Sequence, residues 1–415
     1  MRIKETASLL LYNHHDACHP DMDAPSAQLQ QDLRNATADA LSKRRPVLHR
    51  LSADTAWLLQ IPRPTTATRR GGRFYFNILI DPWLSGDQID GHKWFSRQWH
   101  AEKPAVPSIA AVEELLRETE ILASGLRLGH GRKSNAEDIG ENGEWETLVD
   151  AVVASHEFTD HSHQQTFLQV HPDVPVFAVE KAAAMIETWN HFRVVQLIQP
   201  FPHETSDWHA TSIPPLPEWI GISRLVSKKD VGPRVHTALL ITFNNTASTP
   251  PPPAVKQALS GHTRYGTQQF YNEDNDEEVG EAIVYTPHGI PADELSFINS
   301  VSPPIRTLAL LHGIQEVYVG RFGQINLGAR NGLKTQRLLK AKYWFPTHDE
   351  VKYGVGIIGW LLRRKYSTVA DALREEVQKS KAGDDCRRSA GDGGLDLFEE
   401  AHWVDLKNGE SRVLL

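Results

Sequence analysis

Three histidines and Asp160 fall close together in the stretch Ser155-His156-Glu157-Phe158-Thr159-Asp160-His161-Ser162-His163. Imidazole nitrogen and carboxylate oxygen are the ligands that divalent transition metals prefer. The apolar run at 148–154 reads as a buried strand, so a rigid element delivers these side chains onto one short turn. A metal site is therefore the first expectation. The chain contains 20 histidines, and pairs such as His14-His15 arise by chance in loops. What sets His156, Asp160, His161 and His163 apart is the mixture of ligand types at the mouth of a strand.

Three further histidines share that placement. His236 immediately precedes an apolar strand, His288 follows one in Thr286-Pro287-His288-Gly289, and His348 follows Tyr343-Trp344-Phe345-Pro346-Thr347. Strand ends in α/β sheets are where function gathers, because the strand aims the side chain and the loop admits ligand. A capping or surface role accounts for any one of them as well as ligation does; the repetition favours ligands.

The elements that must position these residues follow from pattern. Strands are expected at 55–61 and 73–80, joined by a hairpin-like connection at 63–72, with a turn forced by Pro82 and Gly86. Further strands are expected at 174–178, 237–243, 282–286 and 316–319, and helices at 24–42, 179–189 and 332–340. The charged stretch 125–144, the region 245–280 with its prolines and acidic run, and a mobile segment at 380–394 interrupt the pattern. The β-then-α alternation without repeats points to one large α/β domain over 51–415 behind an N-terminal extension at 1–50.

Composition narrows the class of function. With 415 residues and 40% hydrophobic content the chain can bury a large core. Its net charge is -8 with dispersed basic residues, so nothing offers itself to a phosphate backbone, and nucleic acid is not expected as a partner. Two cysteines, Cys18 and Cys386, support neither a disulfide framework nor a thiolate metal site. The apolar run at 9–12 is too short for a signal peptide or a membrane span, which makes the cytoplasm the expected location. Oligomeric state has no readable signal.

Three blocks together resemble the metallo-β-lactamase superfamily, in a fungal or bacterial branch near its lactonase-like members. They are Ile80-Asp81-Pro82-Trp83-Leu84-Ser85-Gly86 with Trp94-Phe95-Ser96-Arg97-Gln98-Trp99-His100, then His156 through His163, then Tyr343 through Glu350. The resemblance implies a four-layer αββα sandwich with a metal site at one edge of its two sheets. The family's turn, His-x-His-x-Asp-His, maps onto His156, Asp160 and His161, with Phe158 in place of the second histidine. His236 then matches the third-motif histidine, His348 the final one, and His288 stands where the family has an aspartate bridging two metals.

Those departures have physical consequences. Two cations in one pocket need anionic bridges, and a neutral imidazole at 288 removes one. The resemblance then implies a single divalent metal, zinc first with manganese or iron as alternatives, held by Asp160, His161 and His348 with His288 close by. His156 and His236 remain from the other half-site. Asp160 would also orient a water and accept its proton. His163 is expected either to hydrogen-bond a ligand or to lie on the surface; Asp81 either orients a ligating histidine or caps its turn. Trp83, Trp94, Phe95 and Trp99 either line a substrate mouth or pack an N-terminal layer.

The function implied is a hydrolase: a bound cation acidifies a water, and the hydroxide attacks an ester, lactone or amide-like bond of a small metabolite. The rival reading is a non-catalytic binding protein in which Phe158 and His288 mark a decayed site. An iron-dependent oxidoreductase is a third, since ligand types alone admit it.

Overall fold

The computed structural model describes residues 42–65, 72–127, 146–202, 206–227, 235–245, 278–320, 323–383 and 401–415, with Ala38, Ala40 and Ala67. Two large sheets use the strands β1 (Val47–Arg50), β2 (Trp57–Pro62), β3 (Tyr75–Ile80), β4 (Ala151–Ala154), β5 (Val176–Ala178), β6 (Val195–Leu197), β7 (Ile220–Val226), β8 (Thr237–Phe243), β9 (Gly280–Thr286), β10 (Ile305–His312), β11 (Tyr343–Phe345) and β12 (Ser411–Val413). The first sheet runs β12-β1-β2-β3-β4-β5-β6, and the second runs β11-β10-β9-β8-β7.

Each sheet is antiparallel on one side and parallel on the other. In the first, β3, β4, β5 and β6 are parallel. In the second, β9, β10 and β11 are parallel. The parallel strands end at the residues singled out from sequence: β3 at Asp81, β4 at Ser155-His156, β9 just before His288 and β11 just before His348. Crevices beyond the carboxyl ends of parallel strands are the ordinary place for a site in such sheets.

Period-two alternation shows how the sheets stack. In the second sheet Leu239, Ile241, Phe243, Ile283, Tyr285, Leu311, Tyr343 and Phe345 belong to a core shared with the first sheet. Their neighbours Ala238, Leu240, Ala282, Val284, Leu310 and Trp344 join a second core on the opposite face. Trp57 of β2 meets Phe345 of β11 across the sandwich, ring centroids 6.4 Å apart.

Helices cover both outer faces. Over the first sheet lie α1 (Ile109–Arg127) and α2 (Glu180–Glu187); over the second lie α3 (Gly328–Leu339) and α4 (Val369–Gly383). Ser108 starts α1 by accepting the Ala111 N–H, and Ile109, Val112, Leu115 and Leu116 form its buried stripe. At Gly332 of α3 an added Cβ would lie 2.3 Å from the Trp344 indole, so only glycine lets the helix approach β11 this closely. The architecture is α/β, a four-layer αββα sandwich.

The sequence-derived elements are placed with some differences. Strands at 237–243 and 316–319 fall on the expected residues, while helix α3 begins at Gly328 rather than 332. The expected helix at 24–42 lies mainly outside the described residues, although Ala38, Ala40 and Ser42 are helical. Most of the regions at 125–144, 245–280 and 380–394 also lies outside them; residues 125–127 end α1, and 380–383 end α4. β1 pairs with both β2 and β12, so the first sheet takes in the last residues of the segment read as an extension. Among the described residues no helix is long and apolar enough to cross a membrane.

Candidate metal centre

The turn after β4 is built around Asp81. This residue closes β3 with a φ of 44°, a left-handed conformation that is rare outside glycine and common where a site over-determines the backbone. Its carboxylate is wholly buried and accepts from four donors. Oδ1 takes the Ser155 N–H at 2.7 Å; Oδ2 takes the Ser155 hydroxyl, the His161 Nδ1–H at 2.6 Å and the Tyr285 hydroxyl at 2.7 Å. Asp81 thus both fixes the strand end and orients His161, joining the two sheets through Tyr285.

With Nδ1 committed to Asp81, the Nε2 of His161 is buried and has no hydrogen-bond partner. His288 repeats the arrangement: Nδ1 pairs with Asn326 Oδ1 at 2.9 Å, and Nε2 is buried without a partner. A buried polar atom left unpaired is costly, and two of them in one pocket ask for a shared partner. Gly289 follows with a φ of 83°, and a Cβ there would lie 2.8 Å from His312 Nε2, so this turn requires glycine.

His348 has a φ of 58°, and its N–H donates to the Asp54 carbonyl at 3.1 Å. Its Nδ1 is 3.3 Å from Asp54 Oδ2 and 3.9 Å from Asp160 Oδ2. The imidazoles of His156, His161, His288 and His348 form one cluster, with centroid separations of 4.7–5.2 Å between neighbours. Two overlapping triads bring their ligand atoms within 4.8 Å of one another: His156, His161, His288 and Asp160, His161, His348.

Lys352 was not singled out from the sequence. Its Nζ lies 2.6 Å from Asp160 Oδ2 and 2.7 Å from Asp54 Oδ2, with the side chain only 4% exposed. Burial pushes both carboxyls up, but the ammonium and the neighbouring histidines outweigh it and hold both below the ordinary carboxylate range. A carboxylate held down in this way suits ligation better than accepting a proton.

Burial and the neighbouring imidazoles push His288 and His156 well below the usual histidine range, which keeps them neutral. For His161 burial acts the same way, but Asp160 and Asp81 prevail and raise it. His156 differs from its neighbours in that its Nε2–H donates to the Val235 carbonyl at 3.0 Å, while Nδ1 lies 2.8 Å from Ser155 Oγ, whose hydrogen goes to Asp81. It would have to give up the Val235 bond to bind a metal through Nε2. Phe158 packs beside it, centroids 6.3 Å from both His156 and His288.

Other expected residues are placed elsewhere. His236 belongs to neither triad; its nitrogens face the carbonyls of Gly289 and Gln324, both at 3.1 Å. His163 is buried and pins its own turn through Thr166 Oγ1 and the Asp87 carbonyl. Trp83 is a core residue stacked on His100, whereas Trp94 is 65% exposed. No residue of either triad lines the cavity of about 930 Å³ bounded by Arg50, Gln315, Asp349, Asp405 and Lys407.

Asp54, Lys352, Asn326, Ser155 and Tyr285 are the partners that sequence reasoning missed. Two had a signal. Asp54 opens the turn before an apolar strand, and Lys352 stands four residues after the last histidine of the series.

No family model and no curated protein matches the chain. Among solved structures it is similar to isothiocyanate hydrolase from Delia radicum gut bacteria, at 14% identity and a TM-score of 0.44, over 89% of this chain and 99% of that one. A possible metal-dependent hydrolase from Veillonella parvula DSM 2008 matches at 10% identity and a TM-score of 0.43, over 89% and 100%. The metallo-beta-lactamase fold protein YhfI from Bacillus subtilis matches at 10% identity and 0.36, over 89% and 99%. At these TM-scores the likenesses carry no chemistry, which has to come from the side chains.

Proposed function

We propose that this chain is a metal-dependent hydrolase of the metallo-β-lactamase superfamily, acting on an ester, lactone or amide-like bond of a small metabolite. The observation that carries the reading is the pair of buried, unpartnered Nε2 atoms on His161 and His288, with His161 also grouped with Asp160 and His348. Neutral imidazole and carboxylate donors fit a borderline divalent ion, zinc first. When bound, such an ion polarises the scissile group and makes a water more acidic.

The chain's own residues prepare that chemistry. Asp81 and Asn326 accept the Nδ1–H of His161 and His288, which turns each Nε2 toward the site. Lys352 tethers Asp160 so that its carboxylate stays charged and in place. Phe158 sets an apolar wall against His156 and His288, suited to a substrate with a nonpolar flank.

Elemental mass spectrometry on the purified protein, with His161→Ala and His288→Ala variants checked by circular dichroism, tests the reading. Near one equivalent of metal is expected, lost in both variants, together with metal-dependent turnover in a panel of lactones, thioesters and other esters. A folded protein that takes up no metal would support the second reading, a binding protein on the same scaffold. The bond from His156 Nε2 to the Val235 carbonyl and the phenyl ring at 158 favour that alternative.

A further inference from the structure

Lys352 brings a positive charge into the most acidic part of the pocket. Its Nζ sits between Asp54 Oδ2 at 2.7 Å and Asp160 Oδ2 at 2.6 Å, over the face of buried Trp83 at 5.1 Å from the ring centroid. The same two oxygens lie 3.3 and 3.9 Å from His348 Nδ1. Asp54, Asp160 and His348 are thus a two-carboxylate, one-imidazole set, the composition of a divalent-cation site, with an ammonium at its centre. Asp54 Oδ1 is in addition buried without a hydrogen-bond partner, a spare acceptor beside that ammonium.

We propose that the Lys352 ammonium is a built-in cation that takes the place of a second metal ion and limits the centre to one. The inference rests on the metal-centre reading above. Three buried carboxylates, Asp54, Asp81 and Asp160, line this pocket. With Lys352 charged they leave two negative charges, which one divalent ion neutralises. A second divalent ion would have to share Asp54 and Asp160 with the ammonium, and in a buried pocket like charges at contact distance repel strongly. Removing the ammonium frees the two carboxylate oxygens it holds, Asp54 Oδ2 and Asp160 Oδ2, with an uncompensated negative charge.

The test is metal content of the full chain after saturation with zinc and gel filtration, comparing wild type with Lys352→Met, which keeps the length and removes the charge. One equivalent is expected in the wild type and two in the variant, a twofold rise. A folded variant that still holds one equivalent, or fewer, overturns the inference, whereas a wild type without metal defeats the metal-centre reading itself. Should the variant not fold, the wild type decides alone. Saturated with manganese, it should give the resonance spectrum of isolated ions, and a spectrum of spin-coupled pairs would show that Lys352 excludes nothing.

Discussion

The carboxylates beside the His161 ring draw it toward its protonated form. Burial alone would push its pKa down, but Asp160 and Asp81 raise it, so the ring of the metal-free protein holds its second proton to higher pH than an ordinary histidine. His288, His156 and His348 are shifted the other way and are already neutral. Ligation needs the neutral ring, so wherever His161 is protonated binding must expel that proton. Metal affinity is therefore expected to rise about tenfold per pH unit below the His161 pKa and to level off above it. Calorimetric titration in buffers of different ionisation enthalpy should show about one proton released per ion in the rising range. A flat profile would remove His161 from the ligand set.

At this scale the sequence was informative about ligands and poor about their partners. His156, Asp160, His161, His288 and His348 stood out because histidine and aspartate at strand ends are conspicuous. Asp54, Asn326 and Lys352 act through contacts between residues up to 298 positions apart, as in the Asp54–Lys352 pair. A lone aspartate, asparagine or lysine in a turn looks the same whether or not it faces a site.

Among the elements, α3 and β11 depend on each other through Gly332. Gly332→Ala is expected to cost about 1–3 kcal/mol, since a methyl group 2.3 Å from the Trp344 ring forces helix and strand apart. Thermal melting would register the loss, and an unchanged midpoint would mean that the indole moves freely. β8 was legible because its seven residues are nearly all β-branched or apolar. β10 was not, although Leu308 to Leu311 are wholly buried. A strand covered on both faces shows an apolar run without alternation, which reads equally as part of a helix. α1 escaped notice because Glu113, Glu114, Glu118 and Glu120 dilute its apolar stripe.

For the molecule as a whole, the cluster works as a clasp between sheets. His156, Asp160 and His161 follow a strand of the first sheet; His288 and His348 follow strands of the second. A metal bound only by the folded state stabilises it by about 2.7 kcal/mol at a free concentration a hundredfold above Kd. Differential scanning calorimetry should therefore show a melting temperature that climbs with metal concentration and falls on chelation. A midpoint indifferent to metal would mean that the clasp is not closed by an ion.

The division of ligands between sheets also sets a timetable for synthesis. His348 leaves the ribosome about 190 residues after His156, roughly 10–40 s later at ordinary elongation rates. Early in that interval, before β7 to β11 have been made, the strands of the first sheet have no second sheet over their apolar inner face. The nascent chain must therefore be shielded from its neighbours, and the ion is acquired late.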